Sequence, residues 1–588
     1  MRAFALTSLL VCVVACGPSH GSGDDDSMAT LTIDPPSSEL TVLNSTPVTE
    51  DFTAVLTYPD GTTKDVTADA VFSVGVGYGD FTARTLTARG AGKLDVLGVY
   101  SDKQATAEVI VHANGTRVDP TLPANTVDLF NGTEVAARAP TVVYPALDVV
   151  MPRNLGDFEI HWTDANANDI FEISLHTDLS DVRVYVPGNN GVATLGPTPS
   201  WSAFLSTEWA AAVGSEATVT YQVRGVQSSN LAAGVGAGAP RLVKLSNEDM
   251  NGGIYYWASS GDDANTPEGI WRHDMANPGQ PAEQFETVTQ TAGRCIACHV
   301  LSRDGTRMAI TYDGGNKNSN TIDVGTKTFG TESTAWNFAT FTPDAAQMLT
   351  THDGVLTVRD FATQATVATA ASAGLITHPD LSADGMRLVY VRPTVTNVDW
   401  GFGGGQIFTR TFDQSTDTFG PEVMLVADSN NNYYPSFSPD GQWVLFNKST
   451  NNTTAGAYNN GSATVWVIKS DGSAPAVELA KLDTAANLTN SWARWAPFSQ
   501  SVGSEDIYWI TVSSKRDFGT RLDHNAFPPS NTAYDNLPGR PQIWMTAFVP
   551  SVAAAGMDPS QPAFRLPFQN IQSNNHIAQW TEKVVVTQ

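Results

Sequence analysis

Phe437-Ser438-Pro439-Asp440-Gly441-Gln442-Trp443-Val444-Leu445-Phe446 decides the fold, because the same pattern returns along the C-terminal half of the chain. Leu301-Ser302-Arg303-Asp304-Gly305-Thr306-Arg307-Met308-Ala309-Ile310, Phe341-Thr342-Pro343-Asp344-Ala345-Ala346-Gln347-Met348-Leu349-Thr350 and Leu381-Ser382-Ala383-Asp384-Gly385-Met386-Arg387-Leu388-Val389-Tyr390 are the other clear copies. Each reads as a strand, a tight polar turn and a second apolar strand. In chain order their Asp residues stand 40, 40 and 56 positions apart. A period of that size marks a repeat architecture and suits one four-stranded propeller blade per copy.

Trp495-Ala496-Pro497-Phe498, followed by Ile507-Tyr508-Trp509-Ile510, is a degenerate fifth copy, and Ile577-Ala578-Gln579-Trp580-Thr581 opens a sixth. That sixth copy has no strands after it, while Ile254-Tyr255-Tyr256-Trp257 and Gly269-Ile270-Trp271-Arg272-His273 lack an opening strand. The two ends are expected to complete one blade, closing the ring and removing the exposed edges of an open sheet. The count is six blades, or seven if residues 513–562 hold another. The pattern resembles TolB-like propellers, whose Ser-Pro-Asp-Gly turns join the inner strands of each blade, and the resemblance spans residues 248–588. Aligned on the Asp, the copies put Cys298, Phe338, His378, Tyr434, Trp492 and Ile577 at one equivalent position per blade. These six are expected to ring one mouth of the central funnel.

Cys295-Ile296-Ala297-Cys298-His299 carries the one definite chemistry. C-x-x-C-H is the signature of c-type haem attachment: two thiols bond the two vinyl groups of one porphyrin and the following imidazole meets its iron. The expected cofactor is one covalent haem c held by Cys295, Cys298 and His299. His378, in the same ring, is the first choice for a distal iron ligand and His576 the runner-up. Met308 and Met348 occupy positions where other copies have Leu388 and Val444, so they read as core methionines. A disulfide between Cys295 and Cys298 is the competing reading. A zinc site lacks a further Cys/His pair at ligand spacing.

The N-terminus supplies the compartment. Met1-Arg2 precedes an apolar run over residues 3–15, and Val13-Val14-Ala15-Cys16 resembles the bacterial lipobox, with Cys16 the expected lipidated residue. Residues 1–15 read as a signal peptide and 16–28 as a polar tether. Removal of Cys12 and lipidation of Cys16 leave two of the four cysteines, Cys295 and Cys298, so the mature chain is no disulfide scaffold. The expected address is an outer-membrane lipoprotein of a diderm bacterium, facing periplasm or cell surface and touching the membrane through its lipid alone. With 33 basic against 60 acidic residues, a net charge of -27 repels phosphate backbones and makes nucleic acid an unsuitable partner.

Low charge content with 48 Gly and 33 Pro is the profile of an all-β chain rich in turns. Residues 29–113 alternate in short strands and are similar to bacterial Ig-like sandwiches; 114–139 read as a linker; 140–247, with Trp162 early and Tyr221 late, resemble a fibronectin-III-like sandwich. Asp164, Asn166, Asn168 and Asp169 lack the EF-hand offsets and read as a polar turn. The expected fold is all-β: two N-terminal β-sandwiches followed by a β-propeller. The expected function is electron transfer through one haem at the propeller mouth, to a redox partner the sequence leaves unnamed, or reduction of a small ligand if the iron keeps an open position. The alternative is a TolB-like binding module for a protein or glycan with no haem. Neither a Gly-x-Ser-x-Gly elbow on a strand-to-helix turn (the one match, Gly17-Pro18-Ser19-His20-Gly21, falls in the polar tether) nor an H-E-x-x-H helix argues for a hydrolase.

Overall fold

The computed structural model describes residues 26–75, 79–188, 199–259, 268–314, 318–334, 336–450, 459–484, 488–527 and 537–586. Residues 1–15, expected to be a signal peptide, Cys16 and most of the expected tether lie outside them. Among the described residues no helix is long and apolar enough to cross a membrane.

Six separate sheets make the propeller. Their inner strands are Ile296–Leu301, Phe338–Phe341, Thr377–Leu381, Asn431–Phe437, Ser491–Val502 and Asn574–Thr581, and each touches the next around the circle. Asn574–Thr581 pairs with Gly253–Ser259, so the C-terminal strand completes the blade begun by the N-terminal strands of the same domain. This is the first blade, and the strand Ile296–Leu301 opens the second. The described residues of 513–562 form no seventh blade: Gln542–Phe548 pairs with Glu505–Ser514 as the third strand of the sixth.

The repeated turn explains its own sequence. Ser438 Oγ donates to Asp440 Oδ1 at 2.5 Å and accepts from the Trp443 amide at 3.0 Å, while Asp440 Oδ1 accepts from the Gln442 amide. Ser302, Thr342 and Ser382 make the same bond to their own Asp. The next residue must turn left-handed, and Gly441 (φ +68°) does so without a Cβ clash; Ala345 (φ +56°) takes that conformation in the one copy that lacks the glycine.

Upstream, the strand Lys103–Val118 runs past residue 113. Its first half pairs antiparallel with Gly92–Tyr100 and its second half parallel with Ser180–Pro187, so one eleven-stranded sheet passes through both N-terminal β regions. Trp162 and Tyr221 are buried in a core that continues into the fifth and sixth blades. The seam is also polar: Arg521 Nη1 donates to both carboxylate oxygens of Glu159 at 2.9 and 2.8 Å, and His161 Nε2 donates to the same carboxylate at 2.9 Å. The Thr520 amide donates to His161 Nδ1, which sets the tautomer. Asp164 accepts from the Asn166 amide and the Asn168 side chain, a closed polar turn.

Candidate functional site

The six aligned positions stand together at one end of the central channel. Tyr434 and Trp492 stack with ring centroids 3.9 Å apart; His378 lies 4.4 Å from Tyr434 and 4.3 Å from Phe338. Tyr434, Trp492 and Ile577 form one buried cluster with Phe402, and Cys298, Phe338 and Trp257 pack against it. Aromatic side chains therefore plug this end of the channel.

A shared backbone device places them. Cys298, His378, Tyr434, Trp492 and Ile577 all have φ between +47° and +55°. Ladder register slips at each: between Ala297 and Val300, Thr377 and Asp380, Tyr433 and Ser436, Ser491 and Arg494, and in the strand that faces Tyr255 and Trp257. These are β-bulges, which bend an inner strand and re-aim one side chain, here into the channel. Phe338 is the exception; its strand pairs Phe338–Phe341 with Thr351–Met348 in unbroken register.

The bulge separates the members of the C-x-x-C-H motif. Cys298 joins the ring, while His299, 2% exposed, turns into the seam between the first two blades with Nε2 3.3 Å from the Tyr255 carbonyl oxygen. Nδ1 of His299 has no partner. Both thiols are free. Burial pushes the Cys298 thiol up to about 11, with the Thr311 hydroxyl opposing. Burial also raises Cys295, helped by a hydrogen bond with Glu268 and the nearby Cys298. Both are protonated thiols at neutral pH.

The imidazoles are neutral. Burial lowers His299 to about 4, the Tyr255 carbonyl only partly offsetting it. Burial lowers His576 to about 3, with Lys515 acting in the same direction, and its ring lies 5.5 Å from that of Trp257. Burial, then Arg494, holds His378 well below the usual histidine range. Its Nε2 is buried without a partner, and its Nδ1 is 3.4 Å from the Tyr434 amide, longer than a good hydrogen bond. Met308 and Met348 are fully buried in blade cores.

For a haem, two free protonated thiols and one buried, neutral imidazole with an orphaned ring nitrogen are a fitting donor set. His299 as placed faces away from the thiol of Cys298. Sequence reasoning did not find the bulges, nor the second chamber of the channel, lined by Asp380, Arg494, Ser436 and Gln579 beyond the plug.

No protein-family model matches the chain, and no curated protein matches it. Among solved structures it is similar to TolB from Acinetobacter baumannii, at 13% identity, covering 62% of this chain and 79% of that one with a TM-score of 0.36. It is also similar to hydrazine synthase of Kuenenia stuttgartiensis, at 13% identity over 42% of this chain and 70% of the other with a TM-score of 0.29. Dihydro-heme d1 dehydrogenase NirN, solved in complex with DHE, is similar at 13% identity over 51% of this chain and 61% of the other, with a TM-score of 0.29. The sheets themselves define the class: an all-β chain with N-terminal β-sandwiches and a closed six-bladed propeller.

Proposed function

We propose that the chain is a c-type haem protein whose propeller carries one covalent haem at the plugged mouth and serves electron transfer. The observation that carries this reading is the place of Cys298: a free thiol of a C-x-x-C-H motif, packed against the aromatic cluster of a ring that also holds His378, with Phe338 between them. Each thiol supplies both sulfur and proton, so addition of S–H across a vinyl double bond balances without an oxidant. His299 and His378 are the imidazoles offered to the iron, with His576 as the alternative to His378. His378 can offer Nε2 if its proton moves to Nδ1, at the cost of the weak 3.4 Å contact with the Tyr434 amide. The aromatic wall excludes water, which raises the influence of nearby charges on reduction potential. A bound haem supplies one reversible electron, which suits a carrier. The lipid anchor on Cys16, an outer-membrane address and a separate redox partner belong to the same proposal.

A denaturing haem stain with a pyridine haemochrome spectrum, on protein made in a host with c-type maturation, is the test. Covalent haem in the wild type and its loss in Cys298→Ser support the reading; a colourless, folded wild type overturns it. His378→Ala should alter the low-spin spectrum while leaving the covalent stain intact.

One observation favours the second reading, a TolB-like binding module for a protein or glycan with no haem. His299 is locked in the blade seam, away from Cys298. In that case His299→Ala changes stability alone, and no variant of the pair has a spectrum to lose.

A further inference from the structure

Beyond the aromatic plug the channel reopens into a cavity of about 110 Å³, walled by all six inner strands. Its lining is polar in a particular way. Asp380, from the fourth blade, accepts the Phe437 amide at 2.8 Å through Oδ2, and Oδ1 remains. Arg494, from the sixth, uses Nη1 on the carbonyls of Tyr434 (3.3 Å) and Ala493 (3.1 Å) and has Nε and Nη2 left. Ser436 Oγ, in the fifth, is buried without a partner, on a residue 4% exposed. Gln579, in the closing strand of the first, is 8% exposed and its amide bonds to no protein group. Arg303 is already engaged by Glu582 and the Pro497 carbonyl and sits at the rim.

Unused hydrogen-bonding groups from four blades converge on one small chamber. Of these, Ser436 Oγ alone is fully enclosed and unpartnered, a state that costs about 1–3 kcal/mol; the free groups of Asp380, Arg494 and Gln579 open onto the same chamber, where one occupant can meet them. The occupant needs an acceptor for the guanidinium and a donor for the carboxylate. It must also be small: an apolar cavity of about 150 Å³ holds one benzene. Trp495 and Trp580 line the remaining wall and offer contact to carbon.

We propose that this chamber is a binding site for a small zwitterionic amino acid, its carboxylate on Arg494, its ammonium on Asp380 Oδ1, and Gln579 and Ser436 completing the bonds. The site is separate from the thiols and is independent of whether haem is attached.

Glycine is the probe, titrated calorimetrically into the full-length protein at pH 7.5, with acetate as the half-ligand. Glycine should bind with a Kd of about 1 mM or tighter, and acetate at least tenfold more weakly. Gln579→Leu, which breaks no protein hydrogen bond, should weaken glycine about tenfold while leaving the melting temperature unchanged; Arg494→Gln should abolish the binding heat. Absence of heat with glycine in the wild type, acetate binding as tightly as glycine, or a Gln579→Leu protein that binds like the wild type overturns the assignment.

Discussion

At Trp492, glycine should be better tolerated than alanine, the reverse of the usual order within a strand. Trp492 is 5% exposed, stacked on Tyr434, and holds φ at +53°. Truncation to either residue forfeits the same indole, a loss of about 3–5 kcal/mol. The two products differ in the backbone alone. A Cβ in the left-handed region costs about 1–2 kcal/mol, whereas glycine's extra freedom in the unfolded chain costs about 0.5–1 kcal/mol. The difference favours Trp492→Gly over Trp492→Ala by up to about 1.5 kcal/mol. Phe338 is the internal control, because its strand has no bulge and its φ is not positive. There alanine should win by about 0.5–1 kcal/mol. Urea unfolding of the four single variants, followed by tryptophan fluorescence and circular dichroism together, reads the two orders. The same order at both positions refutes the bulge as the device that aims the ring.

Three further outcomes follow from the same geometry. Arg521→Ala leaves Glu159, 6% exposed, with His161 alone, and should cost about 3 kcal/mol; calorimetry should show the seam between sandwich and propeller weakened, and an unchanged melting profile would remove its polar lock. Burial raises Glu159, but His161 and Arg521 outweigh it and hold the carboxyl below its usual range, so its stabilising contribution is present above the unfolded pKa and is lost as pH falls. His273 is 3% exposed, stacked 4.1 Å from Phe568, and lowered by burial to about 4. Its folded pKa is depressed, so the contribution of about 3 kcal/mol is complete above the unfolded value near 6.5 and disappears as pH falls toward 4; His273→Phe should flatten that slope, and an unaltered slope assigns it elsewhere. Deletion of residues 574–588 removes the inner strand of the first blade and leaves the edge of Gly253–Ser259 unpaired; the truncated protein should lose cooperative unfolding and self-associate on gel filtration, whereas a monomer with wild-type melting contradicts closure by that strand.

Much of the propeller was legible because a blade is a local object. The Ser-Pro-Asp-Gly turn encodes its own hydrogen bonds within six residues, from Ser438 to Trp443, so each copy announces itself without reference to its neighbours. Counting copies predicted six blades, or seven if residues 513–562 held another, and the orphaned ends of the domain predicted the closing strand. Alignment alone also brought Cys298, Phe338, His378, Tyr434, Trp492 and Ile577 to one ring.

What the sequence could not determine depends on pairing between distant strands. A bulge exists only relative to the strand it faces, so the left-handed turns at Cys298 and four of its equivalents leave no trace in composition. For the same reason Cys298 and His299, adjacent in a motif that implies joint action, part company, one to the channel and one to the seam at Tyr255. The chamber of Asp380, Ser436, Arg494 and Gln579 draws one residue from each of four blades. No spacing along the chain connects them. Sequence set which side chains each blade would offer; closure of the ring decided which of them meet, because the channel wall is made of strands whose shared position is fixed only when the last one is in place.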